Sequence, residues 1–483
     1  MKKNTVQAVV LAAGKSTRFK TGSTKLLEKL CGQEIILYPL NILNQLKIAN
    51  SIVIGYKGQA IQNTIRKNFK NNEFIEQKEQ LGTGHALLQT MQLWNLDNIL
   101  VLNGDTPLIN KDLINDLIEK HIDTQAAITF VTAHHTDPVT HYGRVIKTEK
   151  SIEIIESKDF TKKTEDSCCI NGGIYIFKKD FLLKNIVKLS NSNVSSEYYI
   201  TDLIKIASKQ KLKVETIKAP FDHIRGINTL KELWMAEQVK RCEIISYWME
   251  QGVRFSFAQS THVDVNALIG SGTFIGSGVH ILNNTKIGSN CAIEPFSILD
   301  NVQVADNTII RSHSVISDSI IEANCTVGPF AHLHDKTYIQ KGSIIGNFVE
   351  TTRCTLGQHS KAKHLTYLGD TAIGKNVNIG AGTIVCNYDG KEKHNTTIED
   401  NAFIGSNNTL ISPVTIGQSA ITGAGSVVTD NVPANSLAIG RARQINKHDY
   451  ANKIQKDRRK KNNPELSFIG ATKTQNDIVS SKE

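Results

Sequence analysis

The sequence predicts a doubly wound, Rossmann-like α/β domain, then a connecting helix, then a left-handed parallel β-helix. Three observations predict it. Strand-length apolar runs alternate with amphipathic helical stretches over the first half of the chain. A helical period then runs unbroken from Thr229 to about Gln251. Beyond Gly252, aliphatic residues return every six positions. A chain of 483 residues also exceeds one ordinary core, so division into domains is expected.

In the first part, VQAVVLAAG, NSIVIGY and DNILVLNGD read as buried parallel strands, with helical periods in ALLQTMQLW and KDLINDLIEKHI. Such a βαβ rhythm places ligands at the carboxyl ends of the strands. In the connector, Met235, Val239, Cys242, Ile245 and Met249 fall on one helical face, and Gly252 stops the run. The six-residue step appears at Ile269, Ile275, Ile281, Ile287, Ile293 and Leu299. It returns at Val327, Leu333, Ile339 and Ile345, then at Ile373, Ile379 and Val385. After an insertion it resumes at Ile398, Ile404, Leu410 and Ile416. That period is too short for helical repeats; each hexapeptide forms one flat side of a triangular coil with its aliphatic residue inside. The boundaries expected are 1–228, 229–251 and 252–447. A polar tail, 448–483, carries the basic run KDRRKK. The tail reads as a solvated, partly disordered segment, or as basic residues approaching a phosphate-bearing cofactor.

Hydrophobic residues make up 40% and charged residues 21%, the balance of a soluble globular chain, and no apolar run approaches a membrane span. The stretch Val6 to Ala13 behind Lys2 and Lys3 is short, lacks a clean cleavage site and runs directly into a loop with its own explanation, so it reads as a first strand. Eight cysteines, with no CxxC pair, argue against a disulfide framework or a zinc site and for a cytoplasmic protein. The net charge of +10 comes without any helix-turn-helix, zinc finger or aromatic–basic platform, so nucleic acid is not an expected partner.

LAAGKSTRF follows the first strand. Gly14 lets backbone amides approach a phosphate, and Lys15, Arg18 and Lys25 bring positive charge. The loop is neither a GxGxxG fingerprint nor a Walker loop. Gln77 and QLGTGHA offer amides and small residues to a flat base, and NGD sets Asp105 at a strand's carboxyl edge, where a magnesium ligand for a nucleotide would sit. HYGRV, IIESKD with Glu156 and INGGI with Asn171 supply polar groups for a sugar.

On these motifs the N-terminal part resembles the nucleoside-diphosphate-sugar pyrophosphorylases. With the β-helix included, nearly the whole chain resembles the bifunctional bacterial enzymes that combine N-acetylglucosamine-1-phosphate uridyltransferase with glucosamine-1-phosphate N-acetyltransferase. The resemblance implies that Leu11, Ala12, Ala13, Gly14, Gln77, Gly82 and Thr83 hold the uridine nucleotide of UTP, with Asn103 and Gly104 beside them. It implies phosphate contacts from Lys25 and Arg18, and Mg²⁺ held by Asp105 and Asn228. Gly143, Glu156 and Asn171 would bind N-acetylglucosamine 1-phosphate. Ser16 departs from a familiar glycine and Asn103 from a familiar tyrosine.

In the β-helix, KHLTYLGD, NVNIGAGT and CNYDG carry the chemistry. Acyl transfer from a thioester to an amine needs a base, a role that suits histidine near neutral pH. The insertion from Asn387 to Thr397 leaves the regular solenoid, as functional loops do. The resemblance makes His364 the general base. It places Asn387 and Tyr388 at the sugar, Tyr367 and Asn378 at the phosphate of glucosamine 1-phosphate, and Ala381, Ser406, Ala424 and Arg441 against acetyl-CoA. A homotrimer is implied as well. His332 and His334 stand where the family carries arginines, and Thr352 where it carries lysine. Losing charge-assisted contacts weakens phosphate binding by about 1.5–3 kcal/mol each. So either Arg353, Lys361 or Lys363 compensates, or glucosamine 1-phosphate binds weakly. Two further readings remain open here: a single-function pyrophosphorylase whose β-helix serves assembly or regulation, and a non-enzymatic scaffold.

Overall fold

The computed structural model describes residues 2–19, 22–135, 142–149, 151–160 and 168–462. The first domain is built on β1 (Val6–Ala12), β2 (Asn50–Ile54), β3 (Glu73–Glu76), β4 (Asn98–Asn103), β5 (Ile128–His134), β6 (Arg144–Lys147), β7 (Ile152–Ile155), β8 (Cys169–Lys178) and β9 (Val214–Lys218). The sheet order is β9-β5-β8-β4-β1-β2-β3, with the antiparallel ribbon β6–β7 attached to β8. The three strands read from sequence are parallel neighbours, with Val10 paired to both Ile52 and Leu102. Burial on both faces explains their unbroken apolar runs. Val6, Ala8, Val10 and Ala12 face one core and Val9 and Ala13 the other, the two-residue alternation of a strand.

Strand β8 was not legible as such. It runs antiparallel to β4 and β5, and the INGGI segment lies inside it at a register shift between Asn171 and Tyr175. Gly173 makes this possible: its φ is +68°, and a Cβ there would sit 2.6 Å from the Asn103 side chain. ALLQTMQLW is also less helical than its period suggests, ending as Thr83–Leu88 followed by the single turn Met91–Leu93.

Helix α1 (Lys111–Thr124) starts where the Asn110 side chain accepts from the Leu113 N–H. The connector α2 (Leu230–Glu250) begins at Thr229, whose hydroxyl accepts from Glu232 N–H, and Glu232 reaches back to the Asn228 N–H at 2.8 Å. The face expected of α2 is only partly right. Ala236, Ile244 and Ile245 are its buried residues, whereas Cys242 and Met249 are exposed. The helix serves two neighbours instead of one core: Ile244 joins the β-helix core and Ala236 the α/β core. Arg241 also donates to Thr261 O at 2.8 Å, fastening α2 to the first coil.

The second domain is the left-handed parallel β-helix. All seventeen aliphatic residues named from the six-residue step are buried. Parallel partners lie one coil apart, as in Ile275↔Ile293 and Ile281↔Leu299. Corners take the left-handed conformation at Asn283, Asn290, Asn301, Asn307 and Asn324, a region asparagine tolerates better than most side chains. Ile373 pairs with Ile398 across the insertion, so the coil closes in register and ejects the extra residues as a loop. In the tail, Tyr450–Asn462 forms a helix (α3) that the sequence reading did not name, and residues 450–459 are exposed, in keeping with a solvated segment. Lys, Gln and Arg favour helix even without a packing face. Residues 463–483 of that tail lie outside the described residues. Among the described residues no helix is long and apolar enough to cross a membrane.

One buried group in the first domain has a measurable consequence. His121 is fully buried, with Nδ1 2.9 Å from Thr129 Oγ1, and desolvation, aided by Lys178, lowers its pKa from 6.5 to about 4. The folded value lies below the unfolded one, so the contribution is intact above pH 6.5 and is lost as pH falls toward 4. The loss reaches about 3 kcal/mol at most. Urea midpoints at pH 7 and 4.5 are expected to converge in His121→Gln relative to wild type. An undiminished pH dependence in that variant would refute this.

Candidate active sites

The carboxyl ends of β1, β3 and β4 open onto a cleft of about 560 Å³. Leu11, Ala12, Ala13, Gly14, Lys25, Gln77, Gly82, Thr83, Asn103 and Asp105 all line it, together with Lys15. Arg18 sits exposed on the single turn Thr17–Phe19 and is not part of this lining. Gly104 contributes through its backbone, donating to Leu11 O at 2.9 Å and so tying β4 to β1 at the rim. Ser16 takes φ +53°, which explains why glycine is familiar there; serine holds the turn with some strain. Gly82 has φ +106°, and a Cβ would lie 2.6 Å from Tyr198 O. Gln77 is buried and donates to Gly82 O at 3.1 Å, so the amide meant for a base also holds its own loop. Glu197, which sequence reasoning missed, closes the lining from a distant loop.

At the mouth of this cleft Lys25 Nζ bonds to Asp105 Oδ2 and donates to Asn228 Oδ1 at 2.8 Å. The ammonium bridges the two oxygens expected to hold a metal, although Asn228 lies far along the chain. One carboxylate and one amide oxygen, already sharing a cation, are a donor set suited to a hard divalent ion. Asn228 is placed by the α2 cap, and Ile227 N–H donates to Asp105 O at 3.0 Å, holding both donors in one frame.

The three residues expected at the sugar also meet. Asn171 N–H donates to Gly143 O at 2.9 Å, and a Cβ on Gly143 would lie 3.4 Å from Glu156 Oε2. Asn171 Nδ2 donates to Tyr175 Oη at 2.6 Å, and Thr201 Oγ1 to Glu156 Oε1 at 2.9 Å. Tyr175 and Thr201 gave no signal in the sequence. Burial is the main cause that pushes the Glu156 carboxyl above the usual range, opposed by the Thr201 hydrogen bond.

On the β-helix, successive coils stack like positions into columns. Asn347 pairs with His364 in register, Gly382 N–H donates to His364 O, Asn407 N–H to Ala381 O, and Gly425 N–H to Ser406 O. Asn347, His364, Ala381, Ser406 and Ala424 therefore follow one corner of the prism, with Arg441 Cδ 3.8 Å from a Cβ built on Gly425. His364 Nδ1 lies 3.1 Å from Asn347 Oδ1, a partner the sequence did not reveal. With the proton on Nδ1 donated to Asn347, Nε2 keeps its lone pair. Asn387 donates to Asp370 Oδ2 at 2.5 Å, and both it and Tyr367 crowd Gly369. Tyr388 is exposed on the loop. Asn378 pairs with Lys361, on the flat side across the Leu365 corner from Tyr367, so one chain does not bring these two together. Arg353 is committed to Asp370 (Nε–Oδ1 2.5 Å) and to Asp335 (3.3 Å), which removes it as a free replacement for the missing cations. Lys361 and Lys363 remain exposed.

Residues 7–262 match the family model for nucleotidyl transferases, 257–338 that of the GMPPB C-terminal domain, and 395–430 that of the bacterial transferase hexapeptide (six repeats). Relatives named bifunctional protein GlmU align along nearly the whole chain. The one from Thermosipho melanesiensis is 40% identical over 92% of this chain and 97% of its own. That from Thermotoga petrophila is 39% identical over 94% and 100%. That from Exiguobacterium sibiricum is 40% identical over 92% and 99%.

Because the Glu156 pKa is raised in the fold, its penalty is absent below the unfolded value of 4.5 and grows as pH rises past it. Gln at this position can still accept from Thr201. Glu156→Gln should therefore melt above wild type at pH 8, with the gap closing as pH falls into the carboxylate range. Equal melting temperatures at pH 8 would contradict the assignment.

Proposed function

We propose how two reactions are divided in a chain that belongs to the bifunctional GlmU family, a nucleotidyl transferase joined to a hexapeptide-repeat transferase. The chain is an enzyme of UDP-N-acetylglucosamine synthesis. The β-helix transfers acetyl from acetyl-CoA to glucosamine 1-phosphate. The α/β domain then transfers uridylyl from UTP to N-acetylglucosamine 1-phosphate. The observation that carries the reading is the convergence of Lys25, Asp105 and Asn228 on a strand-end cleft lined by Leu11–Lys15 and Gln77.

In the uridylyl half a phosphate oxygen of the sugar phosphate attacks the α-phosphorus of UTP in line, and the bond to pyrophosphate breaks. No protein nucleophile is needed, so alignment of two anions and neutralisation of their charge supply the catalysis. Gly14 and its neighbours approach the phosphates, Lys25 and Lys15 meet their charge, and Gly143, Glu156 and Asn171 orient the sugar. Mg²⁺ held by Asp105 and Asn228 would supply neutralisation of the triphosphate.

In the acetyl half the sugar amine attacks the thioester carbonyl. His364 Nε2 takes its proton, the carbon–sulfur bond breaks, and the thiolate leaves with a proton in return. The corner column supports Ala381, Ser406 and Ala424, with Arg441, as the acetyl-CoA track leading to His364. Asn387 and Tyr388 approach the sugar and Tyr367 its phosphate, where Asn378 joins from another copy. A homotrimer fits this division. Phe296, His313, Phe330, Phe348 and Leu365 form a largely apolar ladder along the same corner, with the three phenylalanines and Leu365 exposed, a surface a neighbouring prism would cover. The domain limits follow as 1–228, 229–251 and 252–447, with the tail beyond. A cytoplasmic location agrees with eight cysteines scattered along the chain without a CxxC pair.

Separate assays test the division. Asp105→Ala should lose UDP-sugar formation by at least about 100-fold with acetyl transfer intact, and His364→Ala should lose acetyl transfer by about 10²–10⁴ with uridylyl transfer intact. Unchanged UTP turnover in Asp105→Ala, or unchanged acetyl-CoA consumption in His364→Ala, overturns the corresponding half.

A further inference from the structure

Where the family's cationic side chains are missing, this chain gathers a different set. His332 and His334 sit two apart on one strand, so both rings leave the same face while Leu333 between them is fully buried. The next coil brings Glu350 directly opposite His332 in register. The ring nitrogens and a carboxylate oxygen of His332, His334 and Glu350 all lie within 4.8 Å of one another. The two rings are 4.5 Å apart between centroids.

The surroundings of His334 go further. Its Nδ1 lies 3.2 Å from Asp335 Oδ2, while Nε2 lies 3.4 Å from Glu350 Oε1. A neutral imidazole carries one N–H. Given to Asp335, it leaves the Nε2 lone pair facing a carboxylate oxygen, an arrangement that a cation between them relieves. A histidine held by a carboxylate at one nitrogen and aimed outward with the other is how metal-ligating imidazoles are oriented. Asp335 is itself fixed by Thr352 Oγ1 at 3.1 Å and by Arg353. Two imidazoles and one carboxylate, with open positions to solvent, suit a borderline divalent ion such as zinc rather than an all-oxygen ion.

Position supplies the purpose. Glu350 pairs in register with Tyr367 on the following coil, so the cluster lies about 5–10 Å from the tyrosine assigned to the sugar phosphate. We propose that His332, His334 and Glu350 bind a divalent transition-metal ion whose open positions take the phosphate of glucosamine 1-phosphate in place of the missing arginines and lysine. The role in substrate binding rests on the acetyltransferase reading above; the ion-binding does not.

The full-length chain, stripped with chelator and dialysed, is titrated with Zn²⁺ by calorimetry and with Co²⁺ by visible absorption. Zn²⁺ is expected to bind at micromolar concentration or tighter, and Co²⁺ to give ligand-field bands of a nitrogen-containing site. His334→Ala and Glu350→Gln should each weaken binding at least tenfold while uridylyl transfer stays at the wild-type rate. In the acetyl-transfer assay, Zn²⁺ should lower the KM for glucosamine 1-phosphate at least fivefold in wild type and leave it unmoved in His334→Ala. Absence of binding by wild type, or equal binding by both variants, overturns the site; the rings are then exposed histidines that meet their carboxylates by protonation alone. Binding with an unmoved KM overturns the substrate role. Binding intact with no acetyl transfer under any condition instead sinks the acetyltransferase reading and leaves the ion site standing.

Discussion

The C-terminal half depends on one constraint: each coil must lie on the last in register, with an aliphatic residue inward on every flat side. A slip of one residue would turn Ile275, Ile293 and Ile310 out of the core they share. Each flat side buries its aliphatic residue while buried hydroxyls such as Thr273, Ser297 and Thr308 bond carbonyls of the next coil. The constraint is steep because both are lost on a slip. Its by-product is that outward positions are also locked into columns. A functional side chain on such a surface inherits its neighbours from coil geometry, without a dedicated scaffold. Asn347 beside His364, and Glu350 beside His332, are both products of that stacking.

Much of the fold was therefore legible. The six-residue step names the inward residues because burial and period coincide. The paired strands at Val6, Asn50 and Asn98 announce themselves because both faces are covered. What escaped was structure in which local pattern and tertiary role diverge. Asn171-Gly172-Gly173 has the composition of a turn, yet β8 carries it through the sheet by shifting register. Helix α2 repeats Met235, Val239, Cys242, Ile245 and Met249 at helical spacing, yet it bridges two bodies and of these buries only Ile245, with Ala236 and Ile244 beside it. Apolar period alone does not say which neighbour will arrive.

The sites divide in the same way. Gly14 and Asp105 could be read from sequence because each follows a strand whose carboxyl end must face the ligand, whereas Leu11 to Ala13 came from the resemblance and Gln77 from its amide beside QLGTGHA. Glu197 and Thr201 could not, since they reach the site from a loop whose own sequence is unremarkable polar chain. Arg353 illustrates the converse: by type and position it looked like a spare cation, but Asp370 and Asp335 already hold it. Charge in a sequence is an inventory, and only partners decide how much of it is free.

The reciprocal cap at Thr229 and Glu232 has an effect beyond the helix it starts. Glu232 grips the backbone of Asn228, whose side chain shares a cation with Asp105, and the same helix ends against the opening coil of the prism. One helix thus has the strand-end cleft at its head and the solenoid at its foot. A tilt of the prism carried by that helix would therefore reach the asparagine at its head before any other residue of the cleft is touched.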